Sequence, residues 1–200
     1  MTKVKICGLT RLEDIDAVNI ARPEFAGFVF AKSRRQVTEG TAAMLRLKLD
    51  NMIKAVGVFV NEDIEVIARL ARHGIIDLVQ LHGDEDESYI KSLRGYCSLP
   101  VIKAVRVGRA LPSLPREADY LLFDTLGTVR GGTGQVFNWK LLEGYQGLPY
   151  FLAGGLSAWN IARAINQLTP FGVDISSGVE TDGVKDPAKI RKVVSIVKER

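Results

Sequence analysis

The chain has only two cysteines, Cys7 and Cys97, and they form neither a CxxC pair nor a His/Cys ligand spacing. That argues against a disulfide framework and a structural zinc site, so no metal is expected. No apolar run approaches the roughly 18 residues of a membrane span, which argues against a membrane partner. Met1 leads straight into Thr2-Lys3-Val4-Lys5-Ile6, which reads as a strand and not as a signal peptide. The expected compartment is the cytoplasm. A long Lys/Arg block is also missing, and a net charge of +4 with a pI near 9.1 is too mild to imply nucleic acid. No linker or low-complexity segment breaks the chain.

What remains is ordinary globular material, 46% apolar and 25% charged over 200 residues, enough to bury a core without staples. Short Val/Ile/Leu/Phe-rich runs alternate with amphipathic ones from end to end. The expected strands are Val4–Cys7, Phe25–Phe30, Ile53–Val60, Leu78–Leu81, Val101–Val105, Tyr120–Phe123, Tyr150–Ala153 and Gly172–Ile175. Helices are expected over Leu12–Ala21, Thr41–Lys48, Asp63–Arg72, Asp86–Arg94, Trp139–Tyr145, Trp159–Leu168 and Pro187–Lys198. Thr10 ahead of Glu13, Ser157 ahead of Asn160 and Asp186 ahead of Pro187 mark helix starts, and Gly74 marks a helix end. The gap from Arg106 to Asp119 holds Pro112 and Pro115 and has room for little more than one helical turn. The pattern predicts an α/β protein, one compact (β/α)8 barrel domain over residues 1–200 with a reduced fifth helix. An open doubly wound sheet is the alternative.

In such a barrel the chemistry sits where strands end at their C-terminal side. Gly154-Gly155 follows the seventh strand and Ser176-Ser177-Gly178 the eighth, the two loops where barrels hold a phosphate on backbone N–H groups. Gly131-Gly132-Thr133-Gly134 follows the sixth strand and could close over the same end. As plain turn glycines they would mean less, but three clusters after consecutive strands favour an anion. Cys7 and Asp124 stand at the ends of strands one and six, placed to move protons from opposite sides of a small substrate. A buried apolar cysteine and a loop-capping aspartate are the blander readings. A thiol is a weak base unless positive charge lowers its pKa from about 8.5. Lys5, on the same face of strand one, could supply that charge or simply pair with Asp174. Arg34 and Arg35 could form a solvated turn or clamp a carboxylate. His82 could support the site or be structural. Cys97 lies at the other end of the barrel from Cys7, too far for a disulfide.

Taken in order, Lys5-Ile6-Cys7-Gly8-Leu9-Thr10, Gly27-Phe28-Val29-Phe30, Val56 to Asn61 and Gln80-Leu81-His82-Gly83-Asp84-Glu85 resemble signatures of the phosphoribosylanthranilate isomerase family. Phe123-Asp124-Thr125, Gly131 to Gly134, Ala153-Gly154-Gly155-Leu156 and Asp174 to Glu180 complete the resemblance over nearly the whole chain. It implies a tryptophan-biosynthetic isomerase performing an Amadori rearrangement of a phosphosugar, with no cofactor. It further implies Cys7 as general base, Asp124 as general acid and Arg35 on the anthranilate carboxylate. Gly154, Gly155, Ser177 and Gly178 would hold the phosphate. Asp174 would also face the substrate, with Lys5 and His82 in support, and the assembly would be a monomer or homodimer. One departure is the missing proline in Phe30-Ala31-Lys32-Ser33, which leaves Arg34 a rival to Arg35. Three other readings stand against this one. A ribulose-phosphate epimerase would need paired metal-binding His and Asp, whereas only His82 is on offer. An isomerase serving histidine synthesis too would carry an aspartate where Cys7 sits. A non-catalytic nucleic-acid-binding module would need a basic face with exposed aromatics.

Overall fold

The computed structural model describes residues 1–125 and 137–199, and eight parallel strands close into a barrel. They are β1 Lys3–Cys7, β2 Phe25–Val29, β3 Lys54–Phe59, β4 Leu78–Leu81, β5 Val101–Val107, β6 Tyr120–Thr125, β7 Tyr150–Leu152 and β8 Gly172–Ile175. β1 closes the ring by pairing with both β2 and β8, with Lys5 level with Phe25 on one side and Asp174 on the other. The closed ring rules out the open sheet. Helices α1 Leu12–Ala21, α2 Glu39–Lys48, α3 Ile64–Arg72 and α4 Glu87–Arg94 follow the first four strands, and α5 Ile161–Leu168 and α6 Pro187–Lys198 the last two. Among the described residues, no helix is long and apolar enough to cross a membrane.

The crossover after β5 differs from expectation: among the described residues it contains no helix, reduced or otherwise. Pro112 and Pro115 remove the backbone donors a helix there would need. The segment expected to be helical over Trp139–Tyr145 forms only a 3₁₀ turn, Trp139–Leu142, because the chain swings at Gly144 to a φ of +74°. The start of α1 also differs. The Asp14 carboxylate, not the predicted pair of Thr10 and Glu13, caps it by accepting from the Thr10 and Arg11 N–H groups at 2.9 and 3.1 Å. Asp186 caps α6 as expected, accepting from Ala188 N and Lys189 N, and Gly74 ends α3 at φ +66°.

The inside of the barrel changes character along its axis. Phe25, Val56, Leu78, Ile102, Leu122 and Phe151 fill the end where the strands begin, with Tyr120 and Phe171 packed edge-on or tilted against them. Two residues further along β1 and β4, the same inward face carries Lys5 and Gln80, both buried. Alternation at period two therefore delivers polar groups, one layer at a time, to the end where the strands finish.

Candidate active site

That end encloses a cavity of about 430 Å³, lined among others by Cys7, Arg35, His82, Asp124, Gly155 and Asp174. Its size suits a small molecule.

Cys7 ends β1 level with Gly27 of β2. A Cβ on Gly27 would stand 2.8 Å from the Cys7 sulfur, so the missing side chain makes room for the thiol. Lys5 is fully buried with its Nζ 3.0 Å from Asp174 Oδ1, close enough to the Cys7 sulfur to interact with it electrostatically. The expected pairing of Lys5 with Asp174 is present. Burial alone would lower the Lys5 pKa, but Asp174 and Cys7 outweigh it and hold the ammonium above its ordinary value. For Cys7 the balance falls the other way. Burial and then Asp174 push the thiol up, Lys5 and Lys185 only partly offset them, and the net shift is upward. The resting group is a thiol.

Lys185 and Glu180 were not foreseen as site residues. Strands β9 Glu180–Thr181 and β10 Val184–Lys185 form a small antiparallel hairpin that brings Lys185 back under the mouth. Its Nζ lies 2.7 Å from Glu180 Oε1 and 2.9 Å from the Ser176 carbonyl, and Ser176 Oγ donates to the Cys7 carbonyl. Burial holds the Lys185 pKa down, and Glu180 restores only part of it. Glu180 also accepts a fork from Arg35, Nε to Oε1 at 2.7 Å and Nη2 to Oε2 at 3.0 Å, and a bond from Arg34 Nη2 at 2.6 Å. Burial would raise the Glu180 carboxyl, but hydrogen bonds from Arg35 and Lys185 hold it below its usual value. Arg35 is largely buried and lines the cavity, its stem lying where a Gly8 side chain would be, whereas the Arg34 side chain is 56% exposed.

Across the cavity, Asp124 is held at both oxygens. Oδ1 accepts from Thr125 N at 2.8 Å, and Oδ2 lies 3.3 Å from His82 Nε2. His82 Nδ1 in turn lies 2.9 Å from Gln80 Nε2. Gln80 was also missed, although a polar residue at an inward strand position two before a histidine was a signal to follow. Gly154 and Gly155 have φ of +81° and +68°, the left-handed region that suits glycine. A side chain on Gly154 would strike Thr125, and one on Gly178 would overlap the Leu156 carbonyl, so the end of β6 and the loops after β7 and β8 pack closely. Ser177 starts a single 3₁₀ turn beside them. Gly131 to Gly134 lie outside the described residues. Cys97 is buried and unpaired, as is Cys7. Among the described residues, no three His, Cys, Asp or Glu side chains gather as a metal cradle.

Comparison with known proteins adds a second line of observation. The profile of the N-(5′-phosphoribosyl)anthranilate (PRA) isomerase family matches residues 4–196. The N-(5′-phosphoribosyl)anthranilate isomerase of Endomicrobium trichonymphae is 51% identical over 199 residues, covering 99% of both chains. The crystal structure of phosphoribosyl anthranilate isomerase from Thermotoga maritima superimposes over the full length of both chains, with a TM-score of 0.88 and 34% identity. A crystal structure of such an isomerase with reduced 1-(o-carboxyphenylamino)-1-deoxyribulose 5-phosphate bound also covers both chains fully, with a TM-score of 0.85 and 33% identity.

Proposed function

The chain belongs to the N-(5′-phosphoribosyl)anthranilate isomerase family, and we propose that Asp124 is its general acid and Cys7 its general base. The reaction is the Amadori rearrangement of N-(5-phosphoribosyl)anthranilate to the 1-deoxyribulose product in tryptophan biosynthesis. One observation carries the assignment: a carboxyl and a thiol face one cavity from strands on different sides of the closed ring. Asp124 protonates the furanose ring oxygen, and the C1′–O bond breaks as the nitrogen lone pair forms a Schiff base. Cys7, once its thiol has lost a proton to solvent, takes the C2′ proton as the thiolate and leaves an enolamine. C1′ then gains a proton and the C2′ hydroxyl loses one, so acid and base return to their starting forms. Every step is a proton transfer, for which side chains suffice.

Arg35 receives the anthranilate carboxylate, aligned from behind by Glu180. Asp174 anchors Lys5 and faces the sugar, and Lys5 and Lys185 stabilise the thiolate once it forms. Gly154, Gly155, Ser177 and Gly178 hold the phosphate on backbone N–H groups. A working free thiol suits a reducing compartment, the cytoplasm.

The test follows phosphoribosylanthranilate fluorescence in the presence of inorganic phosphate, which should inhibit competitively. Gly155→Asp should abolish that inhibition, because it adds bulk and negative charge where the dianion meets the backbone. Phosphate binding unchanged in Gly155→Asp would put the anion elsewhere.

A further inference from the structure

The Gln80–His82 pair on β4 is not explained by holding substrate. Both side chains point inward from alternate positions, and Gln80 is 1% exposed. Gln80 Nε2 and His82 Nδ1 are 2.9 Å apart, so one must donate and the other accept. Gln80 Oε1 has no hydrogen-bond partner among the described residues. With the amide reversed, that same unpartnered position would hold an NH₂ group, and a buried donor without a partner is rarer and costlier than an acceptor without one. The amide therefore donates to Nδ1. An imidazole that accepts at Nδ1 carries its proton at Nε2, which faces Asp124 Oδ2 at 3.3 Å.

We propose that Gln80 is a positioning residue that keeps His82 neutral and Nε2-protonated, so that Asp124 can keep the proton it must deliver. The reason is electrostatic. If His82 gained a second proton at Nδ1, an imidazolium would sit against the carboxyl and hold it ionised, leaving no acid. An N–H already aimed at Nδ1 blocks that proton. A neutral Nε2–H instead gives Asp124 one ordinary hydrogen bond, which eases release of its proton and stabilises the carboxylate left behind. Thr125 N–H does the same at Oδ1. Among the described residues, the other ionisable groups lining this mouth are Cys7 from β1, Lys32 and Arg35 beyond β2, Glu62 beyond β3 and Asp174 from β8, with Lys185 beneath it and Arg106 of β5 level with Asp124 in register. Among the described residues, the ionisable side chain paired with His82 is that of Asp124.

This inference rests on Asp124 being the acid, but its test reads the imidazole directly. The chain has two histidines, and His73 sits on the outer surface against Glu39, so His73→Asn leaves His82 as the sole imidazole. With ¹⁵N-labelled histidine at neutral pH, NMR should show a bare Nδ1 and a protonated Nε2. Gln80→Glu offers an acceptor in place of the donor and should give a doubly protonated ring. In that variant kcat should fall about tenfold or more, part of the ~10²–10⁴ that an acid supplies, with KM changing far less. A wild-type ring protonated at Nδ1 would overturn the proposal, as would a charged ring in Gln80→Glu with kcat intact. The wild-type spectrum needs no change at Gln80, so it decides the matter even if Gln80→Glu does not fold. A fully active Asp124→Asn would overturn both this proposal and the assignment of the acid, whereas a wrong tautomer overturns this one alone.

Discussion

The two walls of the cavity solve opposite problems with opposite materials. Around Cys7 the structure is crowded with full charges: Lys5 with Asp174, and Lys185, Arg34 and Arg35 on the one carboxylate of Glu180. Around Asp124 the partners are a backbone N–H and an imidazole backed by an amide. A group that must become an anion gains from nearby ammonium groups, and a group that must hold a proton loses from them. Burial complicates the first wall, because together with Asp174 it pushes the thiol up by more than the lysines pull it down. The lysines make the thiolate reachable without making it the resting state.

Neutralising the chemistry itself should have the largest effect. Cys7→Ser and Asp124→Asn should each lower kcat by at least ~10², with circular dichroism showing intact folding. Near-normal turnover in either would erase the division between the walls. Next comes Lys5→Met, which strips the charged wall of one cation and strands Asp174. Breaking a buried pair costs about 3–5 kcal/mol, to be read by urea unfolding. The same change should move Cys7 alkylation to higher pH, since the cation that favours its thiolate is gone. An unmoved alkylation profile would show that Lys5 serves only Asp174. Arg35→Ala should raise KM through loss of a charge-assisted contact worth roughly 1.5–3 kcal/mol. The more exposed Arg34→Ala should change it by less than about 1 kcal/mol equivalent. The reverse order would give the carboxylate to Arg34. Smallest of all, exhaustive chelation should leave activity unchanged, and restoration by added Zn²⁺ after loss would favour the epimerase reading.

How much of this was legible in the chain depended on whether a residue's role was local. β4 and β8 were bounded by their own apolar runs and came out at Leu78–Leu81 and Gly172–Ile175 as expected. Cys7 and Asp124 were visible because each ends a strand. Lys185 was not, since it reaches the site only through a hairpin of two-residue strands, too short to leave a periodic trace. Glu180 read as motif and not as a hub because its partners Arg34 and Arg35 lie some 145 residues away in sequence. The sign of the thiol shift was out of reach for the same reason: charge can be read from residue types, but the depth of burial comes only with packing.

The bond between Lys5 and Asp174 joins the first strand to the last, across 169 residues of sequence. Lys5, beside Cys7, therefore meets the Asp174 carboxylate only when β8 closes the ring on β1. Long-range closure of this kind is the slow part of assembly. The wall of the cavity around Cys7 is thus complete only once β8 has met β1.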